Sequence, residues 1–319
     1  MSYDVSITPG RVARHAPSSA QGREAALVDI AQDLLLRHLH DVGLLTELAF
    51  KGGTALRKLY AGNQGRFSLD LDFAVVNIGT DVETVVDLLA EEVTGLRIGP
   101  FDYGIRERRG KRILTMSSAW GASGTLESKL DVNPPPWLEP VTRGWVVMPI
   151  HGAYGGPLPA LTVVRLEENV AEKVARLNRT TTARDVYDLV WLWRHFRHDG
   201  GLDAALVRRL AVLKIWVDKH GLSADGAHWK PGHDSVPFEA DAWLRDRVPG
   251  EFDKEDIGQL AVPTPDLDEL AKDLAAGDAF LRDLDADEQV VAAISATDRP
   301  IVLRMLAELP GGRLAGICY

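Results

Sequence analysis

Between residues 51 and 73 the chain reads Lys51-Gly52-Gly53-Thr54-Ala55-Leu56-Arg57 and then Arg66-Phe67-Ser68-Leu69-Asp70-Leu71-Asp72-Phe73. The second run alternates. On a strand, whose side chains have a period of two, Asp70 and Asp72 share one face while Leu69, Leu71 and Phe73 point into a core. Two carboxylates held side by side repel unless a cation lies between them or one takes a proton, and oxygen donors of this kind suit Mg²⁺. The first run follows an apolar stretch, residues 44–50, and opens a short helical pattern from Ala55 to Tyr60. Glycines let backbone approach a ligand closely, and the free N–H groups and positive dipole end of that helix, with the Thr54 hydroxyl, suit a triphosphate. Each run alone has a plainer reading, a solvated strand edge or an ordinary turn. In this order and spacing they point to nucleotide and metal chemistry.

Bulk properties allow a two-lobed enzyme. At 319 residues and 45% hydrophobic composition the chain exceeds what one core usually organises. No apolar run is long enough to span a membrane and the first residues lack a signal-peptide pattern, so a cytoplasmic protein with no membrane partner is expected. The one cysteine, Cys318, excludes an internal disulfide and a cysteine zinc cluster, and reads as a chance terminal thiol. The histidines suggest no zinc site. The net charge of −10 is uneven: residues 239–298 hold 17 acidic against 5 basic side chains, a net of −12, which leaves about +2 for the rest. Within that remainder Arg106, Arg108, Arg109, Lys111 and Arg112 surround Gly110, which reads as a hairpin tip. It is either a grip for RNA phosphates or a charged, solvated edge. The acidic segment reads as a solvated surface or a partner-binding face.

Periodicity predicts an arm over residues 1–21, an amphipathic helix over 22–42 with Leu27, Ile30, Leu34 and Leu35 on its apolar face, and a helix over 82–95. Strands are expected at 45–50, 70–76, 98–105, 112–118, 125–132 and 144–149. From residue 166 helical patterns take over, at 166–178, 183–197, 202–220, 266–284 and 301–309. The lobes divide in the Gly/Pro-rich stretch 152–159, giving an arm (1–21), a sheet-bearing domain (22–159) and a helical C-terminal domain (160–319). The tryptophans, mostly in the helical half, read as core packing rather than base-stacking groups.

Three further groups carry candidate chemistry. Asp131 alternates with Leu130 and Val132, shares a face with Lys129, and is either a site carboxylate or the last strand residue before the turn Asn133-Pro134-Pro135-Pro136. Lys173 falls on one helix. Asp185 and Asp188, three apart, share a face of the next helix. By spacing alone all three are as compatible with surface charges or a structural ion pair. Ser68 lies two residues before Asp70, on its face, and either caps the strand entry or borders the phosphate pocket. In the latter case a phosphoryl group there, adding about −1.5 to −2 charge, would block the triphosphate.

The order Gly-Gly-Thr then Asp-Leu-Asp resembles the signature of DNA polymerase β-like nucleotidyltransferases, with Gly-Gly-Thr where Gly-Ser is commoner. Lys51 to Arg57, Arg66 to Phe73, Glu172-Lys173-Val174-Ala175-Arg176-Leu177 and Ala183-Arg184-Asp185-Val186-Tyr187-Asp188-Leu189 resemble the AbiEii/AbiGii nucleotidyltransferase toxins, which include the MenT toxins. The motifs run from Lys51 to Leu189, and nothing specific extends past about residue 200. The resemblance implies an α+β chain, a polymerase β-like nucleotidyltransferase lobe with a mixed sheet followed by a mainly α-helical lobe. It implies Asp70, Asp72 and Asp131 as ligands of two Mg²⁺ ions. It also implies that Gly52, Gly53, Thr54, Arg57, Ser68 and Lys173 hold the NTP phosphates, with Asp185 or Asp188 orienting Lys173 or the nucleotide. The implied reaction transfers a nucleoside monophosphate, often a pyrimidine, to the 3′ end of tRNA, and an antitoxin from a neighbouring gene is the expected partner. Alternatives are a small-molecule nucleotidyltransferase of the aminoglycoside-modifying type, a non-catalytic binding module, and a two-metal nuclease.

Overall fold

The computed structural model describes residues 3–17, 20–120, 124–180, 182–196, 201–224, 227–231, 235–245 and 257–314. Cys318, the Ser18–Ser19 pair and the end of the predicted helix at Arg197 lie outside them. The chain forms two compact units: one comprises Met1–Asn133, Val141–Val163 and Gly258–Thr264, the other Pro134–Pro140, Val164–Ile257 and Pro265–Tyr319. The architecture is the expected α+β one.

The first unit begins with α1 (Pro9–His15) in place of the expected arm. Its N-terminus is set by Thr8, whose side chain accepts from the Arg11 N–H, and by Pro9, which costs no hydrogen bond in a first turn. Val12 is buried and the Ser6 N–H donates to the Ala153 carbonyl, which pins the segment down. Next comes α2 (Ala20–Asp41), which the apolar spacing predicts as amphipathic. It is instead buried on nearly every side, Asp29, Asp33 and Arg37 included, because its charged side chains find partners inside the unit.

There follow β1 (Leu48–Lys51), α3 (Gly52–Leu56), which continues into a π-helical turn at Arg57–Ala61, β2 (Leu71–Val75) and α4 (Val82–Val93), capped by Asp81. A meander of β3 (Arg97–Ile98), β4 (Phe101–Arg108), β5 (Lys111–Ser117) and β6 (Thr125–Asn133) leads to β7 (Val141–Arg143) and β8 (Leu161–Val163). The eight strands form one mixed sheet in the order β3-β4-β5-β6-β2-β1-β8-β7. β2 runs parallel to β6 and β1 parallel to β8, and the other neighbours are antiparallel. Leu27, Ile30 and Leu34 of α2 share a buried core with Phe50, Phe73 and Leu130 of the central strands.

The strand expected at 144–149 is absent. There the Val146 N–H donates to the Lys58 carbonyl, and Pro149, with no N–H to give a ladder, opens a 3₁₀ turn to Ala153. The sheet edge is made instead by β7 paired with β8. Leu69, expected in the core, is 50% exposed, because the ladder starts only at Leu71.

The second unit is built from α5 (Leu166–Leu177), α6 (Ala183–Phe196), α7 (Ala204–His220), a short hairpin of β9 (Leu222–Ala224) and β10 (Ala227–Trp229), α8 (Ala240–Arg245), α9 (Leu267–Gly277), α10 (Ala286–Ala292) and α11 (Arg299–Ala307). α5 packs along α7 and α6 on α9. The helix predicted over 266–284 tightens after Gly277 into a 3₁₀ turn. A side chain at 277 would press on the Trp193 indole, and Asp278 takes the Trp193 Nε1–H at 2.7 Å. Among the described residues no helix is long and apolar enough to cross a membrane.

Candidate active site

Strand pairing sets the site. Lys51 lies opposite Asp72 in the antiparallel β1–β2 register, and Asp72 lies opposite Asp131 in the parallel β2–β6 register. Residues opposite one another project to the same face, so Lys51, Asp72 and Asp131 form one row across three central strands. Lys129, two residues before Asp131, shares that face and pairs with the Asp131 carboxylate. Asp70 precedes β2. Its carbonyl accepts the Thr54 hydroxyl proton, which ties the carboxylate strand to the turn after β1.

That turn presses against the carboxylates. Gly52 has φ +78°, and a Cβ there would strike Asp72 Oδ2. A Cβ on Gly53 would strike the Arg66 guanidinium and come within 3.2 Å of Ser68 Oγ. Only glycines therefore bring this backbone so close to Asp72, Arg66 and Ser68, at the end of α3 where the first-turn N–H groups have no intrahelical acceptor.

The electrostatics are those of crowded anions. Burial, followed by the nearby Asp70 carboxylate, pushes the Asp72 pKa up to about 6. Asp131 pushes the same way, and Lys51 and Lys129 only partly offset it. A hard divalent cation would relieve this repulsion, and three carboxylates are the donors such an ion takes. The residues thus fit a metal in their chemistry. They do not stand preassembled around one point: among the described residues no three ligating side chains cluster to hold an ion, and Asp131 has Lys129 as its counter-charge.

Not every expected phosphate ligand faces this site. Thr54 is buried, with its hydroxyl proton committed to Asp70. Ser68, 5% exposed, lies against Gly53. Arg57 turns inward and is 1% exposed. Its Nε and Nη2 each donate to the Asp29 carboxylate at 2.9 Å and its Nη1 to the Gly62 and Gly65 carbonyls. Lys51 and Lys129, beside the carboxylates, and Arg66, against Gly53, are cations that the motif reading did not single out as site groups. Their signal was position: each lies within four residues of a glycine or aspartate of the motif.

The remaining candidates form a cluster in the second unit. Lys173 of α5 is buried, and its Nζ donates to Asp185 Oδ1 and Asp188 Oδ2 of α6, both at 2.8 Å. Asp185 Oδ2 also accepts from Thr182 Oγ1 at 2.8 Å and Arg176 Nη1 at 3.3 Å. Burial alone would raise the Asp185 pKa, but Lys173 and Arg176 outweigh it and hold the group well below the usual carboxylate range. Both aspartates are thus bound to the one ammonium.

At the basic hairpin Arg109 and Gly110 have φ of 54° and 70°, the signature of a tight two-residue tip between β4 and β5. Arg106 and Arg108 pair with Glu127, and Arg112 pairs with Asp87, so these three are partly neutralised. Arg109 and Lys111 have no ion-pair partner among the described residues. In the helical unit Trp193, Trp216 and Trp243 are buried and donate to Asp278, Ser295 and Val174, which is core packing.

Comparison with known proteins gives concordant findings. Residues 33–288 match the model of the family described as nucleotidyl transferase AbiEii toxin, type IV TA system. Among solved structures the chain is similar to MenT4, a nucleotidyltransferase toxin from Mycobacterium tuberculosis H37Rv. Identity is 35%, 95% of this chain and 99% of that chain are covered, and the TM-score is 0.82. No curated protein matches.

Proposed function

This chain belongs to the AbiEii nucleotidyltransferase toxin family of type IV toxin–antitoxin systems, and from that premise we propose that it transfers a nucleoside monophosphate from an NTP, a pyrimidine one by preference, to the 3′ end of tRNA. Blocked aminoacylation would then stop translation, and an antitoxin would restrain the enzyme. The observation that carries this reading is the contact of the glycine turn with the carboxylate row, Gly52 against Asp72. It supports reading that turn as a cradle for phosphate beside the groups that would bind the metal of a metal–triphosphate complex.

In this reaction the oxygen of the acceptor 3′-hydroxyl bonds to the α-phosphorus and gives up its proton to solvent, the α–β phosphoanhydride bond breaks, and pyrophosphate departs with that bond's electron pair. Asp70 and Asp72 would hold Mg²⁺ with the triphosphate, and Asp131 would join them on release from Lys129. The bound ions would supply charge neutralisation at the attacking and leaving oxygens. The chain's own work is placement. The Gly52–Gly53–Thr54 backbone receives phosphate oxygens, Arg66 and Ser68 line the far side of that cradle, and the Thr54–Asp70 bond holds cradle and carboxylates in register. Lys173, whose Nζ donates to Asp185 and Asp188, is the proposed further phosphate contact. An RNA acceptor is supported by the basic hairpin tip in a chain of net charge −10.

Incubation with each labelled nucleoside triphosphate, Mg²⁺ and total tRNA tests the proposal. Label should appear on tRNA, lie at the 3′ end, and vanish with Asp72→Ala. Label on an aminoglycoside instead would select the small-molecule reading, and label on RNA that survives Asp72→Ala would refute the site.

A further inference from the structure

We propose that the buried Asp29–Arg57 pair is a positioning device for the nucleotide cradle, fixing the distance between the glycine turn on one side and Arg66 and Ser68 on the other. The inference rests on reading residues 52–54 as the triphosphate site. Arg57 follows directly on α3, so its backbone moves with the turn. Its side chain ties that helix to three other places. Nε and Nη2 form a two-pronged contact with Asp29 of α2. Nη1 donates to the Gly65 carbonyl at 2.6 Å and to that of Gly62 at 3.2 Å, and the guanidinium carbon lies 3.6 Å from the centre of the Phe67 ring. Gly65 and Phe67 flank Arg66, the residue whose guanidinium meets Gly53. One planar group therefore spans both walls of the cradle from beneath.

Asp29 is set for this task. It also accepts from Lys58 Nζ at 2.9 Å and is bonded to the His15 ring at 2.8 Å. With so many donors its charge is anchored rather than merely buried. A buried ion network of this kind is a poor source of stability, since packed hydrophobic side chains of similar volume often serve as well. Directionality is what they lack. A planar fork bound on two edges holds distance and angle together, which a lysine or an apolar side chain does not.

Two variants of the full chain test the role, one at the inward-turned Arg57 side chain and one in the loop that it bonds. Arg57→Lys keeps the charge but cannot bridge Asp29 and the two carbonyls. Gly65→Ala keeps every charge and a backbone that alanine adopts easily, φ −75°, but its methyl would meet Ala61 Cβ at 2.9 Å and Arg57 Cα at 3.1 Å and so wedge the loop from Arg57. Binding of the four nucleoside triphosphates with Mg²⁺ is measured by calorimetry, with amide exchange at Gly53 and Thr54 alongside. Both variants should weaken the preferred NTP about tenfold and speed exchange at the turn, with kcat at saturation within about threefold of wild type. Variants that lose thermal stability yet bind NTP as wild type does would make the pair purely structural and overturn the proposal. If Arg57→Lys does not fold, Gly65→Ala decides alone. A wild-type chain that binds no NTP would overturn the cradle assignment itself, a result distinct from variants that match a binding-competent parent.

Discussion

Asp72 of β2 lies directly opposite Asp131 of β6 in a parallel register, with Lys51 on its other side. Burial, then the Asp70 carboxylate and to a lesser degree Asp131, push the Asp72 pKa up to about 6 against an ordinary 3.8. Folding therefore takes up a proton between about pH 4 and pH 6, and the contribution of Asp72 to stability falls as pH rises through that window and is flat above it. The shift corresponds to about 3 kcal/mol as an upper figure. Thermal unfolding in chelator should show this loss of stability, and added Mg²⁺ should reverse it at pH 7.5. Asp72→Asn should remove the pH dependence, stabilise the chelated protein by about 1–3 kcal/mol and lower transfer at least about 100-fold.

Lys129 competes for the third carboxylate. Its ammonium pairs with Asp131 on a half-exposed part of the sheet, where such a pair is worth about 1 kcal/mol after screening by solvent. Lys129→Gln should free Asp131 and tighten Mn²⁺ binding about fivefold, as measured by titration calorimetry. Unchanged or weaker binding would show that Asp131 is no part of the metal site.

Lys173 serves two buried carboxylates at once. Lys173→Met should cost about 3–5 kcal/mol, because Asp185 and Asp188 lose the ammonium they share. The depressed pKa of Asp185 gives the opposite sign to that of Asp72: its contribution is present above about pH 4 and is lost as pH falls toward its folded value. In the variant Asp185 loses that depression, so the stability gap to wild type should be largest at pH 7 and narrow as pH falls to 4. Urea titrations at pH 7 and pH 4 separate the two effects, and equal denaturation midpoints for wild type and variant would reject the pairing.

Ser68 faces Gly53 from within the cradle. A negative group there occupies the place assigned to phosphate, so Ser68→Asp should abolish transfer while Ser68→Ala keeps a measurable rate. Intact mass of the protein expressed with and without a candidate antitoxin would reveal a phosphoryl group on this serine. Activity retained in Ser68→Asp contradicts the placement.

The alternation of Leu71 and Phe73 with Asp70 and Asp72, and of Leu130 and Val132 with Asp131, made the two carboxylate strands readable in the sequence, because a half-buried strand writes its period into the chain. Their alignment was not readable. The pairing of Lys51 with Asp72 and Asp72 with Asp131 depends on register between segments up to 59 residues apart. Arg57 shows the same limit: a basic residue just after a glycine turn has the local look of a phosphate ligand, and its inward course is decided by Asp29, 28 residues earlier. The helix α2 carries apolar spacing on one face, yet its polar face is buried by its own ion pairs. β8 is three residues long, too short to display any period. Residues 144–149 look like a strand until Pro149 and the Lys58 carbonyl are considered together.

The β4–β5 ribbon reaches β2 only through β6, whereas the carboxylate row spans β6, β2 and β1. Changes of length or charge at residues 106–112 consequently break no bond within that row. Sequence variation there can leave the Lys51–Asp72–Asp131 alignment intact, and a mutant library confined to those seven positions separates a part in acceptor binding, read as changed acceptor affinity, from a merely solvated edge.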